Sequence, residues 1–412
     1  MSDADRYELK QRHALVFNQF ALPRSAPGGT RHVELYGQMP GWSTRVVAGA
    51  RGMLDQQTIE SDGTLETVWV SRYKGNGIDR VLNWFSYTFT ATVRGLTGPK
   101  PDIVVGSSPH FGAALTAWFV ARVRRAPFVL EIRDLWPEIL SEAGSMSEDA
   151  IAYRSLDALA RWLYRSADEV FVLASGSRAT IERAGVSAEL VRFVPNGADP
   201  SDFDVDDSTS KLRAELGLPG VDDDSILVVY AGAHGPANGL DFAIDALAEL
   251  REDLPNLHLL LVGGGVDKER LEKRVADTEE ANVHFLAPVP KDQIPQIFGA
   301  ADIGLHCLAD VPLFHYGVSP NKLYDYMAAG LAVITNTPGD VAELVDDASS
   351  GVAVAPGGLA EGLRRLASAP AEQRQQMGEC GKKFMAQHRS RRAMAEEMAR
   401  TFEGILDRKK SK

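Results

Sequence analysis

Short apolar runs alternate with amphipathic segments along the whole chain. Two of the clearest runs, Ile103–Gly106 and Phe128–Ile132, consist almost entirely of valine, isoleucine, leucine and phenylalanine apart from single breaks. Apolar runs of strand length that are separated by helical patterns are typical of parallel sheets covered by helices. The pattern therefore predicts an α/β fold.

The alternation predicts elements in both halves of the chain. In the first half, strands are predicted at His13–Phe20, Ser43–Val47, Ile103–Gly106, Phe128–Ile132 and Glu169–Leu173, and helices at Gly29–Gln38, Ile78–Arg94, Phe111–Arg124 and Asp149–Arg165. In the second half, strands are predicted at Ser225–Gly232, Leu257–Gly265, Asn282–Val289, Asp302–Leu308 and Ala332–Thr337, and helices at Gly239–Glu252 and Asp267–Thr278.

The two similar halves predict two doubly wound, Rossmann-like domains that face each other across a cleft. We place the first domain at residues 1–198 and the second at 199–391, with a helix over 392–412 packing back on the first. The acidic, polar stretch 204–225 is interpreted as an interdomain connection with a short helix inside. Its VDDD run is interpreted as a solvated loop rather than a metal site. Ligands are expected beyond the carboxyl ends of the strands.

The charge is unevenly distributed. The chain has a formal net charge of -12, yet residues 1–190 contain 21 basic and 21 acidic residues, which leaves 23 basic and 35 acidic residues for the remainder. An acidic chain is a poor nucleic-acid binder, because phosphate neutralisation dominates that affinity. Cys307 and Cys380 are too few for a disulfide framework. The polar start and the lack of a long apolar run lead us to expect a cytoplasmic protein.

The stretch SPNKLYDYMAAG predicts an anion site at the start of a helix. Ser319 suits the N-cap and Pro320 the first helical position, and Asn321 and Lys322 then add an amide and an ammonium. The free backbone N–H groups, the helix dipole and the lysine charge together favour an anion. The alternative is an ordinary capped helix with a surface lysine.

Asp325 lies one turn further along the same helical face as Asn321. Its carboxylate could accept two hydrogen bonds from a ribose diol. An aspartate in an otherwise apolar helix is costly unless it is paired, so a structural ion pair is the alternative.

Glycines follow two predicted strands of the second half. Gly232, Gly235 and Gly239 occur in one turn and Gly263–Gly265 in the other. Glycines allow a backbone to approach a phosphate closely, although tight strand–helix packing explains them equally well.

Three groups of residues in the first half are further candidates. Gly28, Gly29, Thr30 and Arg31 form an anion-friendly turn after the first strand. His110 follows another strand, where it is either catalytic or structural. Charged residues follow the strand at Phe128–Ile132, and they indicate either the lip of a site or an internal salt-bridge network; they are Arg133, Asp134 and Glu138.

The ordered set of motifs resembles a family 4 glycosyltransferase of the GT-B type. GGTRHVEL, RDLWPE, VPNGAD, YAG with a later GLD, LLVGGG and SPNKLYDYMAAGLAVI occur in this order over nearly the whole chain. RDLWPE with SPNKLYDYMAAG most resembles the branch related to N-acetyl-fucosamine transferases of surface-polysaccharide assembly.

The resemblance implies retaining, metal-independent transfer of a sugar from a nucleoside diphosphate sugar, with UDP the commonest carrier. The donor would bind the second domain, and a glycan or lipid-linked acceptor would bind the first. The catalytic roles would fall to Arg31, His110 and Lys322. Donor contacts would come from Gly28, Gly29, Asn196, Gly232, Gly265, Ser319, Pro320, Asn321, Lys322 and Asp325, with Thr30, Arg133, Asp134 and Glu138 on the acceptor side. No cofactor is implied.

The chain departs from the family pattern at several positions. Gly317 stands where the family often has a glutamate that touches the donor sugar, and Ala233 and Asn238 stand where it commonly has arginine and lysine. Ser107 or Ser108 falls near the place of the family's acceptor-domain histidine. These departures keep two rivals open: a non-catalytic nucleotide-binding partner and a nucleotide-sugar 2-epimerase.

Two aromatic and basic segments of the first half raise the question of membrane contact at the inner face of a membrane. One contains Trp84, Phe85, Tyr87 and Phe89, and the other Trp118, Phe119, Arg122, Arg124 and Arg125. Such a face would suit a membrane surface. The alternative is that these are core helices with basic ends.

Overall fold

The computed structural model describes residues 11–26, 29–52, 58–61, 63, 65–75, 77–142, 146–315 and 318–411. It divides into two compact units. Unit 1 comprises residues 1–23, 29–195 and 391–412, and unit 2 comprises residues 24–28 and 196–390. Among the described residues, no helix combines the length and the apolar content that crossing a membrane requires.

Unit 1 is built on a parallel sheet of seven strands in the order β3-β2-β1-β4-β5-β6-β7. Its strands are β1 (Arg12–Phe17), β2 (Trp42–Gly49), β3 (Leu65–Val68), β4 (Ile103–Ser107), β5 (Phe128–Ile132), β6 (Glu169–Val172) and β7 (Val191–Phe193). Its helices are α1 (Arg31–Tyr36), α2 (Ile78–Thr97), α3 (Phe111–Arg124), α4 (Glu138–Glu142), α5 (Ile151–Ser166), α6 (Ser177–Arg183) and the C-terminal α15 (Arg391–Lys410).

Unit 2 is built on a parallel sheet of six strands in the order β10-β9-β8-β11-β12-β13. Its strands are β8 (Ile226–Ala231), β9 (Leu257–Val262), β10 (Val283–Leu286), β11 (Ile303–His306), β12 (Ala332–Thr335) and β13 (Gly351–Ala353). Its helices are α7 (Thr209–Leu216), α8 (Leu240–Leu250), α9 (Lys268–Asp277), α10 (Ile294–Gly299), α11 (Asn321–Ala329), α12 (Asp340–Asp347), α13 (Leu359–Ala367) and α14 (Ala371–His388).

The predicted fold class is confirmed, because both sheets are parallel and doubly wound. In each unit the chain first builds outward on one side of the starting strand and then crosses to its other side. The strand order therefore reverses between β1 and β4 in unit 1 and between β8 and β11 in unit 2. Sheets of this kind bind ligands beyond the carboxyl ends of the strands at such a point.

Each unit has its own apolar core. In unit 1, strand residues such as Val104 and Val170 pack against alanines of α3, including Ala117. In unit 2, the sheet is covered on one face by α8 and α13 and on the other by α10, α11 and α12, where Leu323 and Tyr326 are buried. Helices on both faces bury both sides of each sheet, which explains the nearly continuous apolar strands.

The interpretation of residues 204–225 as an interdomain connection was wrong. These residues are part of unit 2, since α7 buries Leu212 in its core. The buried guanidinium of Arg213 donates hydrogen bonds to the carbonyl oxygens of Ala300 and Ser225, and it forms an ion pair of 2.6 Å with Asp302. The hydrogen bonds and the ion pair of Arg213 thus attach the polar segment 204–225 to the rest of unit 2.

Candidate active site

Two loops and a helix start meet at the switch point of unit 2. The loop after β8 and the loop after β11 are joined by a backbone hydrogen bond of 3.0 Å from Ala309 to the carbonyl of Ala237. The thiol of Cys307 donates to the carbonyl of Asn238. The lysine of the SPNK motif, at the start of α11, reaches the same loop. The structure thus brings Lys322, one of the predicted phosphate-binding residues, to the loop that follows β8.

Lys322 is the central cation of this place. Its Nζ donates to the Tyr230 hydroxyl at 2.7 Å and to Oδ1 of Asn238 at 2.9 Å, and it lies 4.1 Å from the centre of the Tyr230 ring. All these partners are neutral, and no described carboxylate pairs with the ammonium. Burial lowers the pKa of Lys322 to about 8. An anion placed beside it would restore favourable charge pairing.

The start of α11 differs from the prediction. The helix begins at Asn321, and Pro320 holds the N-cap position with an extended backbone, so the assignment of Ser319 as N-cap was wrong. The Ser319 hydroxyl instead accepts a hydrogen bond of 2.9 Å from the backbone N–H of Asn196 and lies 3.2 Å from the hydroxyl of Tyr324. Asn196 also donates through its side-chain amide to the carbonyl of Ser319. The first amides of α11 therefore receive no side-chain cap.

The two glycine turns of unit 2 extend the sheet by backbone pairing. Gly232 N–H donates to the carbonyl of Val262 at 2.9 Å, and His234 N–H donates to the carbonyl of Gly264 at 2.8 Å. Gly265 has a φ of +153°, and a Cβ there would overlap the carbonyl oxygen of His234. A Cβ on Gly232 would lie 3.2 Å from the Lys322 ammonium. Packing thus accounts for Gly265, whereas Gly232 borders the lysine.

Asp325 is paired in this structure. Its carboxylate forms an ion pair with Lys291, and both side chains are largely buried. The Lys291 ammonium also lies 5.5 Å from the centre of the Phe203 ring. The ion pair that we considered as the alternative for Asp325 is therefore present, and the ribose contact stays a prediction. Lys291 lies 34 residues before Asp325, a separation that gives no signal in the sequence.

In unit 1, Arg31 is held inside a buried network. Its guanidinium donates to Oε2 of Glu131 through Nε and Nη2 at 3.3 and 3.2 Å. It also donates to the carbonyls of Pro195 at 2.6 Å and Val194 at 2.9 Å. Arg31 and Glu131 are almost fully buried. Contact of Arg31 with a ligand would require an exchange of these bonds, so its catalytic role stays a prediction.

Glu131 is the centre of this network, and the sequence analysis did not select it. Its carboxylate accepts hydrogen bonds from Ser107 at 2.8 Å and Tyr36 at 3.2 Å, and it lies 2.9 Å from Nε2 of His32. Burial alone would raise the pKa of Glu131, but the charge of Arg31 and the hydrogen bonds hold it well below its usual value. A carboxylate inside the apolar strand FVLEI was the available signal, since such a group must be paired.

His110 follows β4 as the N-cap residue of α3, and it lies among aromatic rings. It stacks on Trp84 with ring centres 5.5 Å apart and meets Tyr87 and Phe20 edge to face. Burial lowers its pKa to about 3, so the ring is neutral at pH 7. Its Nδ1 accepts a hydrogen bond of 3.1 Å from the backbone N–H of Gly112. The proton must then reside on Nε2, which makes His110 a hydrogen-bond donor rather than a base.

Two positions that the sequence analysis singled out, Gly28 and Gly317, lie outside the described residues. The neighbours of Gly28 in the sequence, Gly29 and Thr30, are described. A Cβ on Gly29 would meet no described atom within 4 Å, and the Thr30 hydroxyl donates to Glu34 at 2.7 Å.

The charged residues of RDLWPE follow β5. The backbone N–H of Arg133 donates to the Ser108 hydroxyl at 3.0 Å, Asp134 is exposed, and Glu138 begins α4. The choice between a site lip and a salt-bridge network therefore stays open.

Two family models match the chain in succession. The model described as glycosyl transferase 4-like domain matches residues 32–197, and the model described as glycosyl transferases group 1 matches residues 217–384. The chain belongs to this family of glycosyltransferases. The narrower likeness to N-acetyl-fucosamine transferases stays a prediction.

Curated relatives of this glycosyltransferase act in several settings. WcaI of Escherichia coli K12, a glycosyl transferase assigned to colanic acid biosynthesis, is 29% identical over 247 residues, which are 57% of this chain and 58% of WcaI. A GDP-mannose-dependent phosphatidylinositol monomannoside mannosyltransferase of Mycolicibacterium smegmatis is 28% identical over 47% of this chain and 50% of its own length. The chain spans about half the length of the curated relatives it matches.

Solved structures share the fold of the glycosyltransferase. HepE from Anabaena, determined with UDP-glucose, superposes with a TM-score of 0.70 at 19% identity over 95% of this chain and 99% of HepE. Sucrose-phosphate synthase from Thermosynechococcus elongatus gives a TM-score of 0.76 at 16% identity over 96% and 99% of the two chains. These likenesses place the chain among proteins of the GT-B fold.

Proposed function

We propose that this glycosyltransferase moves a sugar from a nucleoside diphosphate sugar to a glycan or lipid-linked acceptor with retention of the anomeric configuration. The donor is UDP-linked and carries a hexose or an N-acetylated hexosamine. Unit 2 binds the donor and unit 1 the acceptor. Support comes from family membership, from the UDP-glucose complex of HepE, and from the charge at the switch point of unit 2.

The observation that carries the proposal is the charge of Lys322, for which no described carboxylate serves as a counter-ion. A partly buried ammonium whose partners are all neutral has lost water without gaining a counter-ion, which costs free energy. Its lowered pKa of about 8 reports that cost. The backbone N–H groups at the start of α11 have no side-chain cap. They lie at the same end of the helix as Lys322, where the helix dipole favours an anion. A diphosphate supplies the missing negative charge.

The transfer breaks the bond between the anomeric carbon and the diphosphate oxygen, which keeps the electron pair. The acceptor oxygen bonds to the anomeric carbon on the same face, and its proton passes to the departing phosphate. Below pH 8 Lys322 is mostly charged, so the developing negative charge meets fixed donors of α11 and the ammonium. The proposed transfer uses no metal ion and no protein nucleophile.

The other residues receive supporting roles. Asp325, oriented by Lys291, accepts hydrogen bonds from the ribose. His110 donates its Nε2–H to an oxygen of the bound sugar, since its neutral ring has no basic nitrogen free. Arg31 binds Glu131 and thereby fixes the turn that precedes α1. It therefore acts as a positioning residue for that turn.

The test is thermal stabilisation by UDP, GDP, dTDP and ADP. A ligand at about 100 times its dissociation constant adds roughly 2.7 kcal/mol to the free energy of unfolding. We expect one diphosphate, UDP first, to stabilise the wild type but not Lys322→Met. The matched control is Lys211→Met, which removes an exposed lysine of the same unit. Without ligand, Lys322→Met should melt no lower than the wild type, because it removes a partly buried charge that no described carboxylate compensates.

Two results of this experiment would contradict the proposed role of Lys322. If no diphosphate stabilises the wild type, or if Lys322→Met is stabilised as strongly as the control, Lys322 is not the phosphate site. A donor panel with product analysis then separates transfer from binding.

A non-catalytic nucleotide-binding protein is the second candidate function. Asn238 favours it, because its side chain takes a hydrogen bond from Lys322 where the family commonly supplies a second positive charge. It predicts diphosphate binding without transfer to any acceptor and without donor hydrolysis. Release of free nucleotide from a donor sugar that also stabilises the protein would exclude it.

A further inference from the structure

Helix α2 turns an apolar stripe to solvent. The stripe consists of large side chains spaced three or four residues apart, with exposures between 47% and 80%: Ile78, Leu82, Phe85, Phe89 and Val93. Positions with this spacing share one face of a helix. The buried residues of the helix are Asn83, Tyr87 and Ala91, together with Gly95, and they lie on the opposite face. Helix α2 is therefore apolar on the side that the fold leaves uncovered.

Neighbouring elements enlarge the stripe. Trp69, 65% exposed, is tied to α2 because the Thr90 hydroxyl donates to its carbonyl at 2.9 Å. Helix α3 packs beside α2 and exposes Phe119 and Val123. We call this set of residues on α2, α3 and Trp69 the outer apolar face. Isolated exposed apolar residues are ordinary, but a stripe of five large apolar side chains on one helical face is typical of a binding surface.

The charge around the outer apolar face is positive. Residues 66–125, which contain all of it, include eight basic and three acidic residues in a chain of net charge -12. Arg122 and Arg125 are exposed at the end of α3 beside Val123. A second copy of this face would bring like charges together, whereas an anionic lipid surface is complementary. Aromatic and aliphatic side chains flanked by arginines are typical of helices that lie in a membrane interface.

Helix α2 also connects the face to the surroundings of His110 within unit 1. Trp84 directly precedes Phe85, and it stacks on His110, which follows β4. The Arg80 guanidinium lies 5.6 Å from the centre of the Trp84 ring. One helix thus contributes both to the aromatic surroundings of His110 and to the outer apolar face. Tyr87 faces the core, so only part of the aromatic segment is available to a membrane.

We infer that the outer apolar face binds the surface of an anionic lipid bilayer and so brings the first unit to a lipid-linked acceptor. The choice of acceptor rests on the proposed function, whereas the binding of the bilayer does not. Phenylalanines of the stripe enter the acyl boundary and the arginines of α3 meet the lipid headgroups. The helix lies in the plane of the surface and does not cross the membrane.

The test is flotation with vesicles of phosphatidylcholine alone or with about one third phosphatidylglycerol. We expect the wild type to float with the anionic vesicles and to be released by about 0.5 M salt. Phe85→Ser with Phe89→Ser should lower the partition coefficient at least tenfold. Phe242→Ser, which changes an exposed phenylalanine of unit 2, should float like the wild type. Arg122→Gln with Arg125→Gln should remove the preference for the anionic vesicles.

Three results would overturn the inference. The wild type stays with the protein fraction for both vesicle types, or the double phenylalanine variant floats as well as the wild type, or light scattering shows a wild-type dimer that the variant abolishes without any vesicle binding. The last result would assign the face to a second copy. Stabilisation by the diphosphate is measured on the same variants and should be unchanged, so a failure of membrane binding is distinguished from a failure of the donor site.

Discussion

Glu131 and Lys322 are charged side chains in largely apolar surroundings, and the structure provides for their charges differently. Glu131 has a counter-ion in Arg31 and hydrogen bonds from Ser107 and Tyr36. Among the described residues, Lys322 has only neutral partners. The first network is complete within the protein, whereas the proposed diphosphate would supply the counter-charge of the second. This difference is why we propose a ligand site at Lys322 and assign Glu131 a structural ion pair.

The sequence predicted the ammonium at the start of α11 but not its surroundings. Tyr230 and Asn238 lie 92 and 84 residues from Lys322 in the chain, so no local spacing indicates that they meet it. Arg31 was predicted, from its place after the first strand, to belong to an anion-friendly turn, and the family resemblance implied a catalytic role for it. That place is correct, but its partner Glu131 is 100 residues away, and only the parallel pairing of β4 with β5 beside β1 explains the contact.

We predict that Glu131→Gln destabilises unit 1 by roughly 3–5 kcal/mol, because it leaves the buried charge of Arg31 without a counter-ion. Arg31→Met should have a similar effect for the converse reason. The double variant should lose much less than the sum of the two, and urea unfolding of all four proteins gives the coupling free energy.

Additive losses would contradict this structural role for Arg31. A loss of transfer activity in Arg31→Met with little change in the free energy of unfolding would instead support direct contact with the substrate.

At the scale of elements, the sequence predicted the strands that are buried on both faces. Phe128–Ile132 and the helix Phe111–Arg124 agree with the structure at both ends. The edge strand β3 was not predicted, because LETV is short and half polar. The helix predicted at Gly29–Gln38 is only the six residues of α1. Ends of elements depend on capping and tertiary contacts, which apolar periodicity does not encode.

The C-terminal helix α15 is an element of unit 1. Phe402 is fully buried between Trp42, at a ring distance of 5.1 Å, and Phe171, at 6.1 Å. Ion pairs at both ends of the helix accompany this contact: Arg391 pairs with Glu34 at 3.2 Å, and Arg408 pairs with Glu169. Removal of the helix would expose part of the core of unit 1.

Phe402→Ala should therefore lower the free energy of unfolding of unit 1 by about 3–5 kcal/mol, the usual cost of truncating a buried phenylalanine. Phe85→Ala removes the same atoms from an exposed position and should change it by less than about 0.5 kcal/mol. Chemical unfolding followed by circular dichroism measures both. Equal effects of the two substitutions would show that α15 contributes no core packing.

At the scale of the molecule, most histidines are buried and neutral. Six of the nine have lowered pKa values, with burial as the main cause: His32, His110, His234, His258, His284 and His306. In an unfolded chain a histidine titrates near pH 6.5. The unfolded state therefore binds more protons than the folded state below that pH, and stability declines there.

We expect the free energy of unfolding to fall as the pH is lowered from 6.5 towards 4, the approximate pKa of His234 and His284. Each histidine that stays neutral contributes about 1.4 kcal/mol per pH unit in this range. Urea midpoints at pH 7.5, 6.5 and 5.5 measure the slope. His284→Asn should reduce it, because it removes one histidine that stays neutral in the folded state. An unchanged slope in His284→Asn would assign the acid sensitivity to other groups.

The place of α15 in unit 1 also fixes an order of events during synthesis. A ribosome releases the chain from its N-terminus, so Trp42 and Phe171 emerge long before Phe402. Unit 2, which ends at residue 390, is complete before α15 has been made. Domains usually fold as they emerge, the N-terminal one first. Unit 1 therefore begins to emerge before unit 2 and is completed after it, and until α15 has emerged its nascent sheet keeps an apolar surface available to chaperones.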